Sequence, residues 1–358
     1  MSDAELRRQV EGIDVPQYLN PAFVHPVDLS SATVGIVTTA GLHAPSQQRL
    51  ERGDEGFHRL SAADPNMQLG HVSPNFDKTG FVTDRNVVVP YDRLVELAKD
   101  GVIESVAPNL ISFMGAQHGT LSTIRWDSGP AAARELHEDG VDVALLSGMC
   151  PMCTRTLGAV AHALEAAGIA TVLISSVRGI SERIRPPRAL QCNFPFGRPY
   201  GRPLDSAFQK RVIVAALGLV NREQGPVLED FPEAIDENDG GAMVCEIPPH
   251  YDSSLNPAVD EALALRPAYE RQQNKAGFTA VGRAVSANDI PRAIQLFIDF
   301  VNGSVWLGTG PESDPREVAS DVRSYYEEAA MGLSDSTFAA VAPQDWFFTQ
   351  TATGSLLQ

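Results

Sequence analysis

Residues 141–174, VDVALLSGMCPMCTRTLGAVAHALEAAGIATVLI, decide the fold. The apolar run 143–146 is bounded by polar residues and glycine, the pattern of a strand that is covered on both faces. Apolar residues then recur at helical spacing as far as Gly168, and residues 170–174 predict a second strand. A strand, a helix and a strand of this length predict a right-handed crossover between two parallel strands.

Two cysteines lie at the turn between the first of these strands and the helix. The pattern predicts Cys150 as the N-cap residue, Pro151 at the first helical position and Cys153 one turn further on. The N–H groups of the first turn and the helix dipole favour a thiolate at Cys150, and Arg155 adds a nearby cation. We therefore expect Cys150 to be the more reactive thiol, with a pKa below that of a free cysteine.

A CxxC motif is consistent with three kinds of site. The two thiols can close a disulfide across one helical turn, as in redox-active dithiols. They can form half of a zinc site, but Cys192 and Cys245 are single and far apart, so histidines would have to complete the ligand set. They can also be inert buried thiols. The position after a strand favours thiol chemistry, because open parallel sheets bind ligands at the carboxyl ends of their strands.

Two histidines also follow predicted strands. His43 comes after the first strand of the chain, and His118 after a later one. Because the carboxyl ends of parallel strands meet at one edge, we expect His43, His118 and Cys150 to share a cleft. A histidine there accepts the proton of the thiol or protonates a leaving group. The alternatives are that the histidines only bond loop backbone, or that they ligate a metal together with Cys150 and Cys153.

Composition excludes several classes of protein. The chain has 358 residues, 43% of them hydrophobic and 20% charged, as in an ordinary globular protein. A net charge of −17 argues against nucleic acid and anionic membranes as partners and leaves a small molecule as the expected ligand. No apolar run is long enough for a membrane span, and the first sixteen residues lack the pattern of a signal peptide. We therefore expect a cytoplasmic protein, whose reducing surroundings suit a redox or metal role for the CxxC motif.

The whole pattern predicts an α/β fold with a mostly parallel, doubly wound (Rossmann- or flavodoxin-like) sheet and a C-terminal helical extension. Three regions are expected: an α/β domain with the CxxC site at 1–225, a linker rich in Pro, Gly and acid at 226–256, and a helical extension at 257–358. Strands are predicted at 32–38, 67–72, 109–114, 143–146 and 170–174. Residues 53–65 are predicted to be irregular, and 187–203 to be a long loop, since they are dense in Pro, Gly and Arg.

Four residues are candidates for substrate binding. Arg188 belongs to a group of six arginines within twenty-five residues, which form either surface ion pairs or a fork for a carboxylate or phosphate. Arg155 lies two residues after the CxxC motif. Asp77 and Asn86 lie in a turn-rich loop, where polar residues are often merely solvated.

Six ordered blocks of sequence resemble one known family. They are TTAGLH at 38–43, HVSPNFD at 71–77, DRNVVVPYDRL at 84–94, SFMGAQHG at 112–119, CPMC at 150–153 and PRALQCNFPFGRPYGRPLD at 187–205. Together they resemble the selenoprotein B family of the glycine, sarcosine, betaine and D-proline reductases. The resemblance is stronger to the short D-proline reductase subunit than to the longer glycine-type one.

The resemblance implies a chemistry for the dithiol. In that family a selenocysteine occupies the reactive position of the motif and takes part in reductive cleavage of a C–N bond next to a carbonyl or carboxyl group. This implies that Cys150 stands at the selenocysteine position, with Cys153 as the resolving thiol and an external thiol as the reductant. A cysteine is a poorer leaving group than a selenocysteine. In proline reductase a second subunit supplies a pyruvoyl group, and no part of this chain resembles that subunit.

The sequence therefore predicts a thiol-dependent oxidoreductase that acts on a small amino-acid-like or amine substrate, as a homo-oligomer or with a partner subunit. It requires no certain cofactor beyond the redox-active dithiol, and a metal remains an alternative. The competing hypotheses are a non-reductive C–S or C–N lyase, a racemase-like isomerase in which Cys192 opposes Cys150, and a metal-binding or redox-sensing protein without turnover.

Overall fold

One seven-stranded sheet forms the centre of the first unit of the computed structural model, which describes residues 2–243, 247, 252–306, 314–334 and 338–358. The chain divides into two units, residues 1–236 and 237–358. Its strands are β1 (Thr33–Thr38), β2 (Leu42–His43), β3 (Phe57–Ser61), β4 (Gln68–Leu69), β5 (Ser105–Phe113), β6 (Val143–Ser147), β7 (Ala170–Ser175), β8 (Arg188–Gln191) and β9 (Val227–Asp230).

The order of strands in the large sheet is β3-β5-β1-β6-β7-β8-β9. Only the β3–β5 pair in it is antiparallel, and β2 and β4 form a separate antiparallel pair. The helices of this unit are α1 (Asp3–Glu11), α2 (Thr79–Thr83), α3 (Tyr91–Lys99), α4 (Gly129–Glu138), α5 (Cys153–Ala166), α6 (Arg178–Ile184) and α7 (Ser206–Gly218). The predicted α/β fold with a mostly parallel sheet is thus confirmed.

Three stretches predicted to lack regular structure contain strands. The stretch predicted as irregular contains β3, an edge strand whose only buried residue is Leu60. The stretch predicted as a loop contains β8, whose four residues are all buried between β7 and β9. The strand β9 lies within the stretch predicted as a linker.

The chain changes direction across the sheet at β1. After β1 it builds β5 on one side, and then it crosses to build β6 on the other. The N–H of Thr39 donates to the carbonyl of Ser147 at 3.1 Å, so the loops that leave β1 and β6 begin side by side. Such a reversal is the place where open α/β sheets bind ligands.

The second unit contains the helices α8 (Pro257–Ala276), α9 (Ile290–Val301), α10 (Pro315–Leu333), α11 (Ala342–Gln350) and α12 (Ala352–Leu356). The predicted C-terminal helices are therefore present. The aromatic segment near the end of the chain packs within this unit, where Trp346 and Phe347 are buried and contact the ring of Tyr326. None of the described helices has the length and apolar character of a membrane span. Cys245 lies outside the described residues.

Candidate active site

The two thiols of the CxxC motif lie side by side where the strand order reverses. Their Sγ atoms are 3.1 Å apart, and Cys150 and Cys153 are only 0% and 1% exposed. The helix α5 begins at Cys153, whereas the sequence predicted Cys150 as the N-cap and Pro151 as the first helical residue. Cys150 lies in the preceding turn, where its carbonyl accepts from the N–H of Cys153 at 3.0 Å. Its own N–H donates to the Sγ of Cys153 at 3.2 Å.

Glycines from two strand ends make room for the thiols. A Cβ atom on Gly115, after β5, would lie 2.3 Å from the Sγ of Cys153. A Cβ atom on Gly148, after β6, would lie 2.4 Å from the Cβ of Cys153 and 2.7 Å from the Oγ1 of Thr39. Side-chain atoms do not approach each other so closely, so both positions require glycine.

His71 is the histidine that reaches the dithiol. Its ring is 4% exposed, and its Nε2 lies 3.6 Å from the Sγ of Cys153. Its Nδ1 accepts a hydrogen bond from the backbone N–H of Ser73 at 3.0 Å. A backbone N–H can only donate, so Nδ1 is unprotonated and the ring proton lies on Nε2, directed at the sulfur.

The short β2–β4 pair carries His71 to this place. Leu42 pairs with Leu69, and the N–H of Gly70 donates to the carbonyl of Gly41 at 3.1 Å. Gly41 has a φ of +63°, and a Cβ on it would lie 2.9 Å from the side chain of Met114 and 3.2 Å from the N of His71. The chain therefore needs glycine at this crossing. The sequence analysis missed His71, although the HVSPNFD block that begins with it was a signal.

The charge of the dithiol is expected on Cys153. Burial alone raises the pKa of Cys153, but hydrogen bonds from Cys150 and His71 outweigh burial and hold this pKa well below its usual value. Burial raises the pKa of Cys150 well above its usual value, and the hydrogen bond to Cys153 and the charge of that residue add to the increase. The expectation of a lowered pKa at Cys150 is therefore wrong, because the hydrogen-bond donors converge on the other sulfur.

The two histidines predicted from strand ends lie elsewhere. His118 is exposed, whereas both thiols are buried. His43 is buried, its Nδ1 lies 2.9 Å from the carbonyl oxygen of Ala44, and its ring packs against Gly70. The loops after β1, β5 and β6 do meet at one edge as predicted, since Thr39, Gly115 and Gly148 all border the thiols. A catalytic role of His43 or His118 stays a prediction.

Arg155 does not point at the thiols. Its guanidinium donates to the carbonyl oxygens of Asp14, Gln117 and Gly119 at 2.5, 3.2 and 2.6 Å. Burial lowers the pKa of Arg155. The contacts tie the loop after β5 to α5 and to the N-terminal arm, which corrects the expectation of a cation beside Cys150.

The other substrate-binding candidates also have partners inside the protein. Arg188 forms a fully buried ion pair with Glu165 at 2.8 Å. Asp77 caps the start of α2 and binds the Nε of Arg198 at 2.6 Å. The amide of Asn86 bonds to Asp84 and Asp92. These contacts give each residue a structural role, and their part in substrate binding stays a prediction.

Comparison with known proteins places the chain in a family. It is 31% identical over 191 residues to D-proline reductase subunit gamma of Acetoanaerobium sticklandii, an alignment that covers 53% of this chain and 78% of that subunit. The chain belongs to the D-proline reductase gamma family. This agrees with the resemblance inferred from the six sequence blocks.

Relatives of this D-proline reductase gamma family member include larger proteins. It is 29% identical over 185 residues to the sarcosine reductase complex component B subunit beta of Peptoclostridium acidaminophilum, covering 48% of this chain and 41% of that subunit. It is 25% identical over 210 residues to the glycine reductase complex component B subunit gamma of the same organism, covering 55% and 47%. The chain thus spans less than half the length of these two relatives. No family model matches the chain. No solved structure matches it.

The donor set at the dithiol in this family member does not suit a metal as it stands. One ligand atom from each of His71, Cys150 and Cys153 lies within 4.8 Å of the others, which is a compact soft-donor cluster. A metal would need the lone pair of the Nε2 of His71, with the proton on Nδ1. The N–H of Ser73 occupies Nδ1 and so favours the opposite tautomer. His43 and His118 are outside this cluster.

A small pocket lies at the carboxyl ends of β6, β7 and β8. Its lining residues are Gly148, Ile174, Ser175, Ser176, Cys192, Phe194, Pro195, Phe196, Gly197 and Pro199. Burial raises the pKa of Cys192, which disfavours a thiolate there. Gly148 borders both this pocket and the dithiol, so the pocket adjoins the thiol site.

Proposed function

We propose that this chain is the thiol-bearing subunit of a reductase that cleaves a C–N bond in a small amino-acid-like or amine substrate. The observation that carries the proposal is the buried pair of Cys150 and Cys153, with Sγ atoms 3.1 Å apart at the strand-order reversal. Its relatives are named as subunits of D-proline, sarcosine and glycine reductases, which supports this reaction class.

The proposed reaction begins with Cys150, the thiol that the resemblance places at the reacting position. Cys150 attacks the carbon that bears the nitrogen, and its proton passes to the Cys153 thiolate as the C–S bond forms and the C–N bond breaks. The nitrogen leaves as the amine with a proton from water. Cys153 is then deprotonated and attacks the sulfur of Cys150, so that a disulfide forms and the C–S bond breaks. The electron pair of that bond stays on carbon, which takes up a proton.

The balance of this reaction requires a reductant. The substrate gains two electrons and two protons, and the dithiol becomes a disulfide. An external dithiol or two thiols restore the reduced form by thiol–disulfide exchange. Because the sarcosine and glycine reductase relatives are named as subunits of complexes, we expect a partner subunit to be needed for continuous turnover.

The thiol geometry favours this function over the competing ones. A racemase holds its substrate between two opposing thiols, but 3.1 Å between the Sγ atoms leaves no room for a carbon atom. Cys192 is a poor opposing base, since burial raises its pKa. A metal-binding role is disfavoured by the tautomer of His71. Two adjacent thiols are suited to closing a disulfide.

The test measures oxidation of the dithiol by substrate. Reduced protein, together with any subunit that copurifies with it, is incubated without oxygen and with proline, sarcosine, glycine or betaine. We expect one amine-bearing substrate to yield one cleaved product and one Cys150–Cys153 disulfide per chain, and repeated turnover when dithiothreitol is added. Cys150→Ser provides the control and gives no product. If none of these substrates oxidises the pair, with the copurified subunit present, the proposed function is wrong.

A further inference from the structure

His71 lies at the dithiol without being part of the CxxC motif. Its ring is buried and packs edge-on against Phe76, with ring centroids 5.1 Å apart. The pairing of β2 with β4 holds the backbone on its N-terminal side, and the N–H of Ser73 holds Nδ1 on its C-terminal side. The ring is therefore fixed in position, in orientation and in tautomer.

Three donors converge on the sulfur of Cys153. Two of them are N–H groups, of the Cys150 backbone at 3.2 Å and of the His71 Nε2 at 3.6 Å, and a third comes from Cys150 once Cys153 is ionised, since the two Sγ atoms are 3.1 Å apart and the remaining thiol proton then lies on Cys150. The carbonyl oxygen of Thr39 lies farther away, at 3.8 Å. Hydrogen bonds to an ionised acceptor are stronger than those to a neutral one, so this arrangement favours a thiolate at Cys153.

We propose that His71 is a positioning residue that keeps the negative charge of the dithiol on Cys153, so that Cys153 receives the proton of Cys150 when Cys150 attacks. The attack step rests on the proposed function, whereas the location of the charge does not. Sulfur-to-sulfur transfer over 3.1 Å needs no intervening water. His71 thereby acts on Cys150 through Cys153.

Few other groups near Cys153 could account for the preference for a thiolate at this residue. In the described part of the chain, the ionisable groups that face the sulfur of Cys153 are Cys150 and His71. Arg155 directs its donors at backbone carbonyl groups instead. Thr39, Gly115 and Gly148, which also border the thiol site, carry no charge.

The experiment compares two replacements of His71 that differ in one property. His71→Gln keeps a side-chain N–H donor, and His71→Leu removes it at similar volume. Thiolate absorbance and the rate of alkylation by iodoacetamide are followed against pH, and peptide mass mapping identifies the alkylated cysteine. In wild-type protein we expect Cys153 to titrate below the free-thiol value of about 8.5. His71→Gln should stay close to wild type, and His71→Leu should titrate at least about one pH unit higher, with alkylation at neutral pH about tenfold slower.

Controls keep this result interpretable. His25→Gln replaces an exposed histidine and should behave as wild type. If His71→Leu does not fold, nitrogen NMR of the wild-type imidazole decides, and the expected tautomer has its proton on Nε2. A folded His71→Leu protein that titrates as wild type, a proton on Nδ1, or stoichiometric zinc bound by wild type and lost in His71→Leu would each overturn the proposal. None of these readouts needs turnover, so a failed substrate test leaves the role of His71 to be judged separately.

Discussion

A Cβ atom on Gly115 would lie 2.3 Å from the Sγ of Cys153. The loop after β5 thus forms one wall of the dithiol, and the hydroxyl of Thr156 secures it by donating to the carbonyl of Gly115 at 2.8 Å. A methyl group at this position would therefore overlap the sulfur, and a Cβ on Gly148 would lie almost as close to the Cβ of Cys153.

We predict that Gly115→Ala displaces the sulfur of Cys153. Overpacking of this kind costs about 1–3 kcal/mol of unfolding free energy, and the loss of the donor geometry should raise the pH at which the thiolate forms. Denaturant unfolding and alkylation against pH measure the two effects. Gly119→Ala is the control in the same loop, since its Cβ would meet only Glu55, at 3.5 Å. A Gly115→Ala protein with wild-type stability and titration would contradict the packing argument.

The two cysteines should give different defects when replaced singly. Cys150→Ser removes the attacking sulfur, so we expect no covalent adduct with substrate. Cys153→Ser removes the resolving sulfur, so an adduct should accumulate on Cys150, but slowly, because its proton acceptor is lost. Intact-mass spectrometry after incubation with substrate distinguishes these outcomes. Equal activity of both variants would remove the dithiol from the mechanism.

Stability should depend on pH through the two thiols with opposite signs. The lowered pKa of Cys153 contributes stability that is full above the unfolded value of about 8.5 and is lost as pH falls through the folded value. The raised pKa of Cys150 contributes stability that is full below about 8.5 and is lost as pH rises through its folded value. We therefore expect the difference in unfolding free energy between wild type and the Cys150→Ser/Cys153→Ser protein to be largest near pH 8.5. A difference that does not change with pH would contradict both shifts.

The buried pair of Arg188 and Glu165 should matter for stability and not for thiol chemistry. Glu165 also accepts from the backbone of Thr171 and Val24, and Arg188 donates to the carbonyl of Val24, so the pair joins α5, β7, β8 and the N-terminal arm. Arg188→Met leaves an uncompensated buried carboxylate and should lower the unfolding free energy by about 3–5 kcal/mol. Arg188→Met/Glu165→Gln should recover part of this loss. A change in substrate affinity without loss of stability would instead support Arg188 as a substrate-binding residue.

Replacing His118 with Gln tests whether His118 or His71 is the histidine that acts on the dithiol. His118 is exposed, so its replacement should leave the titration and the alkylation rate of Cys153 within twofold, or about 0.4 kcal/mol, of wild type. If instead the rate falls as far as in His71→Leu, the hypothesis drawn from strand ends is correct for His118.

The central strands could be predicted because strands covered on both faces consist almost entirely of apolar residues. β1, β6 and β7 are buried on both faces and read as short apolar runs, and the CxxC turn follows directly from β6. β3 and β8 do not read in this way. Arg59 and His58 give β3 the polar character of an edge strand, and Arg188 lies within β8 with its charge paired to Glu165. Because such a strand is stabilised by partners that are distant in sequence, the local sequence pattern does not reveal it.

The strand-end rule located the edge of the site but did not find His71, the histidine that contacts the dithiol. The rule considers loops that follow strands, and the predicted strand 67–72 included His71. In the structure His71 follows β4 (Gln68–Leu69), a two-residue strand outside the main sheet. The contact of Gly70 with Gly41 depends on tertiary structure, which no periodicity in the sequence reveals. The direction of the thiol pKa shifts was missed for a similar reason, since the helix begins at Cys153, two residues later than the predicted start at Pro151.

The closeness of Cys150 and Cys153 also bears on how the protein survives oxidants. A peroxide that reaches either sulfur produces a sulfenic acid, and the neighbouring thiol, 3.1 Å away, condenses with it to a disulfide before a second oxygen is added. The same thiols that regenerate the catalyst then reverse the damage. Cys192 has no such neighbour among the described cysteines, so its resistance to peroxide rests instead on burial, which keeps its thiol protonated.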